Sequence, residues 1–312
     1  MKGGGLRKYL DRVRPSFEEG GGLSWLHSLY EAVDTTVSVP GTLTGRGAHV
    51  RDCIDLKRIM LCVVVSLLPC LIFAGIASDP VRLLEFILVS LAVSYTVDLI
   101  ASQLRGRPLC EGNAVTALII ALIVPAETPL FILAPAVAFA ILVGKVAFGG
   151  AGMNIWNPAL LTDVFILFGF PDLAGGGSMM ESCGFSWFVA VGLGALLLIY
   201  TGTASWKVML SAAAGALAAA IFAPASDLSL NFFAFGIVFM ATDPVTGAQT
   251  EAGKWIYGFL IGVLFMAVRS LGLADADGTM TAILVMNTFA PLIDRIVISA
   301  NINSRQRRNL TV

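Results

Sequence analysis

The chain has 312 residues, of which 57% are hydrophobic and only 13% are charged. A soluble domain carries about 25% charged residues, so this composition excludes an ordinary soluble protein and indicates a surface that faces lipid. The 20 basic and 21 acidic residues nearly cancel and give no indication of a nucleic-acid partner. The five cysteines never form a C-x-x-C pair, so we predict neither a metal centre nor an iron–sulfur cluster.

Ten apolar segments follow a polar N-terminal segment, residues 1–58, that lacks the apolar stretch of a cleavable signal peptide. In chain order they are 59–77, 81–103, 113–124, 128–148, 154–170, 186–202, 206–224, 231–242, 254–272 and 279–299. A spanning helix needs ~20 mostly apolar residues, and the third, fifth and eighth segments are too short or interrupted. Such segments are typical of half-helices that meet irregular backbone inside the membrane. We therefore expect an all-α integral membrane protein with about ten transmembrane helices.

The basic residues predict the orientation of these segments. With a cytoplasmic N-terminus and ten crossings, every Lys and Arg except Arg82 and Arg269 falls on the cytoplasmic side. This is the bias described by the positive-inside rule. Both termini, including a tail at 300–312, are therefore expected in the cytoplasm.

The segments also show a faint internal repeat. Two short apolar segments end in similar proline-containing stretches, VPAE at 124–127 and TDPV at 242–245. This pattern predicts two five-helix repeats, 59–170 and 186–299, joined by a short outer loop at 171–185. Because five is odd, the second repeat would be inverted in the membrane, as in many transporters.

Charged residues inside spans need an explanation because each costs a few kcal/mol at the membrane centre. Asp98 and Lys145 lie about one turn from the predicted cytoplasmic ends of their helices. Snorkelling, a structural ion pair and an ion path all remain open for these two residues. Asp294, which precedes Arg295 in the last segment, poses the same question.

The stretch FGGAGMNIWNP at 148–158 is the most distinctive local motif. Gly149 and Gly150 would let backbone approach a ligand closely, and Pro158 suits the first turn of a helix. Asn154 and Asn157 are three residues apart and share a helix face, and their amides suit the pyrimidine edge of a flavin. A simple tight turn is the alternative interpretation.

These residues resemble a known family. The chain is similar to the NqrB subunit of the sodium-translocating NADH:quinone reductase (Nqr) and, more distantly, to the RnfD subunit of the Rnf complexes. The resemblance is carried by residues 7–10, 29–32, 48–60, 148–150, 157–160, 239–245, 290–294 and 300–302. It implies a non-autonomous subunit of an ion-translocating oxidoreductase in the bacterial inner membrane. Its partners would be other membrane subunits, a quinone, and Na⁺ or H⁺.

The resemblance also implies site residues. Noncovalent riboflavin would bind at Gly149, Gly150, Asn154, Asn157 and Pro158, and the ion path would involve Glu31, Glu111 and Asp294. Trp25, Leu29 and Tyr30 of the amphipathic N-terminal segment would contact quinone or a partner subunit. No catalytic residue and no metal ligand is assigned.

The family's covalent FMN is expected to be absent. Family members esterify it to a threonine of an outer loop, whereas residues 171–185 (PDLAGGGSMMESCGF) are short and contain no threonine. The similar stretches at 245–250 and 201–205 lie on the predicted cytoplasmic side, where the family's FMN is not found.

Three functions remain open. The first function is that of a redox subunit that retains riboflavin. The other two are a cofactor-poor scaffold that anchors redox partners and a channel of the urea-transporter type. NADH has no predicted site here, because no G-x-G-x-x-G motif follows a strand.

Overall fold

The structure of the protein, a computed structural model, describes residues 9, 12–17, 21–23, 27, 30, 34, 56–105, 109, 112–150, 152–174, 177–180, 183–222, 230–271 and 275–310. Trp25, Leu29, Glu31 and Glu111, which were named above, lie outside these residues. In the N-terminal segment, a 3₁₀ turn at Arg14–Ser16 precedes Phe17.

The described part of the chain is built from ten apolar helices, which confirms the all-α prediction. In chain order they are α1 Leu56–Ala77, α2 Pro80–Arg105, α3 Asn113–Ile123, α4 Leu130–Ile141, α5 Pro158–Gly169, α6 Phe185–Tyr200, α7 Trp206–Ala220, α8 Asn231–Gly236, α9 Glu251–Ser270 and α10 Asp275–Leu310. The helices α4 and α8 continue into π-helical turns, Leu142–Val146 and Ile237–Ala241. A four-residue helix, Pro171–Ala174, follows α5. Each of the ten helices overlaps one of the apolar segments recognised in the sequence.

Four of the described helices, α1, α2, α9 and α10, are long and apolar enough to cross a membrane, and six shorter apolar helices accompany them. The protein is therefore a multi-pass membrane protein. The last helix differs from its predicted extent, because it continues past residue 299 to Leu310 and takes in most of the expected tail. No glycine or proline follows Pro291 to end it.

The helices bury polar side chains together with an apolar core and also expose many large apolar side chains, as expected where lipid is the solvent. On α2 the buried face carries Ser90, Ser94, Asp98 and Ser102, four residues apart, while leucines such as Leu88 are exposed. Residues at this spacing share one helix face. This face therefore points into the bundle, where Asp98 finds partners.

The same packing scheme occurs in both halves of the chain. In the first half, α2 packs against α4, α4 against α5, and α3 against α5. In the second half, α7 packs against α9, α9 against α10, and α8 against α10. The first helix of each half, α1 and α6, pack against each other and join the halves.

The connection between α5 and α6 lies against the end of α3. Ser178 forms an isolated bridge with Pro125, and the Ala126 N–H donates to the carbonyl of Gly177 at 3.1 Å. Met179 and Met180 of this connection are buried. The described residues of the short loop thus close one end of the bundle.

Candidate functional site

A cavity opens where the ends of α1, α3, α6 and α8 meet the turn after α4 and the segments that precede α5 and α9. Its empty space, which includes the opening to solvent, is about 830 Å³. The surrounding helix ends are those that the charge distribution predicts to face the cytoplasm. The polar groups of its wall are Thr116, Lys145, Asn154, Asn157, Thr203, Thr242 and Asp243. Apolar side chains complete the wall: Ile59, Met60, Val63, Val115, Ile119, Leu198, Val238 and Phe239.

The loop before α5 has an unusual backbone. Gly149, Gly150 and Gly152 have φ of 121°, 105° and 84°, values that L-residues with side chains rarely adopt. Trp156 holds the loop by donating from its indole N–H to the Thr288 hydroxyl of α10 at 2.9 Å. Its ring also meets Phe148 edge to face, with 5.7 Å between centroids. The glycines therefore shape the loop, and the tryptophan holds it against the bundle.

Pro158 begins α5 as the sequence predicts, but the prediction that Asn154 and Asn157 share a helix face is wrong, because both residues precede the helix. The Asn157 Oδ1 accepts a hydrogen bond from the Ala159 N–H at 3.0 Å, and Pro158 occupies the first helical position. This cap occupies the amide oxygen of Asn157 and leaves its NH₂ group as a donor at the cavity wall.

In Asn154 the amide oxygen, not the NH₂ group, stays available to a ligand. Its Nδ2 donates to the Trp156 carbonyl at 3.4 Å, which leaves its Oδ1 as an acceptor. Asn154 and Asn157 therefore offer a complementary acceptor and donor to a ligand in the cavity.

A buried polar chain reaches the cavity wall at Lys145. The Lys145 ammonium donates to Asn113 Oδ1 at 2.6 Å, and the Asn113 Nδ2 donates to Asp98 Oδ2 at 2.8 Å. All three side chains are buried. Asp98 and Lys145, for which the sequence left snorkelling, an ion pair and an ion path open, are thus linked through Asn113.

Asp243 closes the wall from the second half of the chain. Its carboxylate accepts from the Val245 N–H at 3.3 Å and from the Thr246 hydroxyl at 3.0 Å. Burial raises the pKa of Asp243 above its ordinary value, while these hydrogen bonds and the Lys145 charge lower it. Thr246 itself is buried, so its hydroxyl is not presented to solvent.

A second cavity adjoins the first. The two share Thr203, Ala204, Thr242, Asp243 and Pro244 as a common wall. The second cavity continues to Lys207 and Lys254, which both pair with Glu251. Asp243 therefore lies between the first cavity and the charged groups at the start of α7 and α9.

The structure brings together only part of the predicted site. Asn154, Asn157 and Pro158 line the cavity, whereas Gly149 and Gly150 do not, and Gly152 takes their place in the wall. The backbone turns at the first two glycines before it reaches the cavity. Asp294 lies outside the cavity wall and accepts hydrogen bonds from the first turn of α9.

Tyr30 packs on an aromatic neighbour. Its side chain is buried and stacks on Phe17, with 5.1 Å between the ring centroids and 18° between the planes. A role of Tyr30 in contact with quinone or a partner subunit stays a prediction, as do the roles of Trp25, Leu29, Glu31 and Glu111.

The sequence interpretation missed several wall residues. Thr242 and Asp243 stood out as a repeat signal and as part of the family resemblance but not as site residues, and Thr203 stood out only as part of a stretch similar to the flavin-attachment motif. The proline that breaks the apolar run after Asp243 was the available signal, because broken helices in membrane proteins often end at binding sites.

The fold and the cavity define a multi-pass membrane protein with a cavity between broken helix ends. The chain belongs to the family described as NQR2, RnfD, RnfE, whose model matches residues 43–176 and 172–303. The boundary between the two matches falls in the connection between α5 and α6.

Individual relatives match almost the whole chain. It is 33% identical to the NqrB subunit of the Na(+)-translocating NADH-quinone reductase of Chromohalobacter salexigens, over 98% of this chain and 97% of that protein. It is 31% identical to the corresponding subunits from Ectopseudomonas mendocina and Pseudomonas aeruginosa, over 98% of this chain and 100% of theirs. These alignments extend over 398 to 402 positions, whereas the chain has 312 residues, so the relatives contain segments that this chain lacks.

Proposed function

We propose that this chain is the membrane subunit of a Na⁺-translocating NADH-quinone reductase type of complex and that it binds a noncovalent riboflavin in the cavity beside α5. Family membership supports the complex, and the names of the relatives support sodium as the ion and a quinone as the electron acceptor. The alternatives are a cofactor-poor scaffold and a urea-transporter-like channel. Neither would contain flavin, so the flavin content of the purified protein distinguishes them from the redox role.

The arrangement of the cavity wall carries the flavin proposal. The pyrimidine end of a flavin presents one N–H donor between two carbonyl acceptors. Asn154 offers a free amide oxygen for such a donor, and Asn157 offers an NH₂ group for a carbonyl. The apolar wall from α1, α3 and α8 suits the face of the ring system.

The covalent FMN of the family is proposed to be absent. Residues 171–185 contain no threonine, and Ser178 of this connection is buried against Pro125. The two family matches overlap at 172–176, so the junction between them falls in this connection. The Thr246 and Thr250 hydroxyls of the similar stretch at 245–250 both donate to aspartates, Asp243 and Asp294.

We further propose that α1–α5 and α6–α10 form two inverted repeats, with both termini in the cytoplasm of a bacterial cell and the protein in its inner membrane. The equivalent helix pairings of the two halves support the repeat, and the distribution of Lys and Arg supports the orientation. In this orientation the cavity faces the cytoplasm. Glu31, Glu111 and Asp294 remain the proposed residues of ion uptake, because carboxylates suit a hard cation.

The experiment is a flavin measurement on a double variant, N154L/N157L, in the purified complex. The paired control is N301L/N303L, which makes the same substitutions at two exposed asparagines of α10. The proposal predicts that the first variant inserts normally but loses at least about 90% of its riboflavin, since a loss of 1.4 kcal/mol is already tenfold in affinity. Equal riboflavin content in both variants would exclude this site.

A further inference from the structure

The ammonium of Lys145 stands out because a buried charge is costly and this one lies in a cavity wall. Lys145 is 4% exposed and lies in the π-helical turn that ends α4. The turn is closed by a hydrogen bond from the Ala147 N–H to the Leu142 carbonyl at 2.8 Å. Single π-helical turns are frequent at functional sites, where the wider turn redirects a side chain.

The position of the turn is set by two further contacts. At Gly144 a Cβ atom would lie 2.6 Å from Leu161 Cδ1, so the turn packs directly on α5. The Arg105 guanidinium of α2 donates to the Val146 carbonyl on the other side. Lys145 therefore extends from a backbone that is held on both sides.

Hydrogen bonds also fix the position of the Lys145 ammonium. Asn113 accepts from Lys145 with its amide oxygen and donates to Asp98 with its amide nitrogen, so one side chain fixes both charges. A Cβ atom at Gly112 would make an ordinary contact with the ammonium nitrogen, at 3.8 Å, so the start of α3 lies directly beside the ammonium. Asp243, from the second half of the chain, lies in the wall of the same cavity as the Lys145 ammonium. Asn154 and Asn157 also line this cavity, so a fixed positive charge is built into the wall that carries the two asparagines.

We propose that Lys145 is the cationic group at the pyrimidine end of the bound flavin and that it raises the flavin's reduction potential, with Asn113 and Asp98 as its positioning residues. The inference rests on the proposed flavin site. Reduction of a flavin by two electrons and one proton places a negative charge at its N1–C2 carbonyl edge. A fixed positive charge at this edge stabilises the reduced form more than the oxidised form, because interactions are strong where water is excluded.

The test compares the oxidised and the reduced cofactor. Riboflavin affinity of the complex is measured in both states for wild type, Lys145→Met and Lys145→Arg, with Lys207→Met as the matched control. Lys207 lies on the same predicted side of the membrane but not in this cavity. We expect K145M to weaken binding of reduced riboflavin at least about tenfold more than binding of oxidised riboflavin, which lowers the midpoint potential by about 30 mV for a two-electron couple. K145R should keep most of the difference, and K207M should match wild type.

The outcomes separate the inference from the proposed function. If wild type binds no riboflavin, the proposed function fails. If wild type binds it and K145M weakens both redox states equally, Lys145 has only a structural role and the inference fails. The affinity ratio remains measurable with added riboflavin even if K145M is purified without flavin. If K145M selectively weakens the binding of reduced riboflavin, the result supports the proposed role of the ammonium. A smaller selective loss in Asn113→Leu supports the role of Asn113 as a positioning residue.

Discussion

The carboxylate of Asp294 on α10 caps the first turn of α9 through Thr250. Asp294 Oδ1 accepts from the Thr250 N–H at 2.9 Å and from its hydroxyl at 2.5 Å, and Oδ2 accepts from the Gln249 N–H at 2.8 Å. Thr250 in turn accepts from the Gly253 N–H at 3.1 Å. The residue that the family resemblance assigns to the ion path therefore also fixes the junction of α9 and α10.

Replacing Asp294 with alanine should destabilise this junction. Two backbone N–H groups and one hydroxyl lose their acceptor, which costs about 1–3 kcal/mol of unfolding free energy. Denaturant unfolding of the purified complex measures the loss, with Asp172→Ala at an exposed position as the control. D294A as stable as D172A would show that the cap contributes nothing.

The conservative change Asp294→Asn separates structure from transport. Its amide oxygen can still accept from Thr250, whereas its NH₂ group cannot accept from the Gln249 N–H, so part of the stability should remain. If Asp294 serves ion uptake, D294N will still weaken the sodium dependence of turnover. Unchanged sodium dependence in a stable D294N complex would limit Asp294 to its capping role.

The interface of α7 and α9 depends on glycine. A Cβ atom at Gly262 would collide with the Ala212 carbonyl oxygen and the Ala216 nitrogen, and Gly258 likewise faces Val208 and Ser211. Gly258 and Gly262 are spaced as in the G-x-x-x-G motif that lets membrane helices approach closely. Gly262→Ala must push backbone apart and should cost about 1–3 kcal/mol.

Gly192 on α6 provides the matched control, because a Cβ atom there meets nothing within 4 Å. Gly192→Ala should be neutral or stabilise by up to about 1 kcal/mol, since alanine is the better helix former. Thermal unfolding in detergent compares the two variants. If the G262A and G192A proteins unfolded at the same temperature, the close packing at Gly262 would be contradicted.

Arg82, a basic residue on the predicted outer side, has a structural partner. Its guanidinium donates to the carbonyls of Ala126 and Thr128 at 3.2 and 2.6 Å, and it pairs with Glu85 at 2.9 Å. It therefore satisfies the irregular backbone where α3 ends, which a membrane protein must do internally.

Replacing Arg82 with leucine should leave these carbonyls without a donor and cost about 1–3 kcal/mol. Lysine should rescue only part of this loss, because it lacks the planar fork that reaches both carbonyls. Arg305→Leu, at an exposed position of α10, is the control for loss of charge alone. Equal stability of R82L and R305L would mean that Arg82 does not support this turn.

The helices were predictable from sequence and the polar contacts were not. The lengths of the apolar runs and the breaks at Pro125 and Pro244 predict the ten segments. They do so because a helix in lipid must carry a long run of apolar residues, which is visible in the sequence. The contact of Lys145 with Asn113 joins residues 32 positions apart and depends on a π-helical turn, which leaves no periodic signal. Asn157 was predictable because its role as a cap is local, whereas the capping role of Asp294 depends on how α9 and α10 pack.

Cofactor analysis of the purified wild-type complex tests the central proposal most directly. The flavin released by denaturation is identified, and the intact mass of this subunit is measured in the same sample. The account predicts riboflavin in the released fraction at about one per chain, and a subunit mass equal to that of the unmodified polypeptide. A complex that releases no riboflavin, or a subunit that is heavier by one covalently attached FMN, would contradict it.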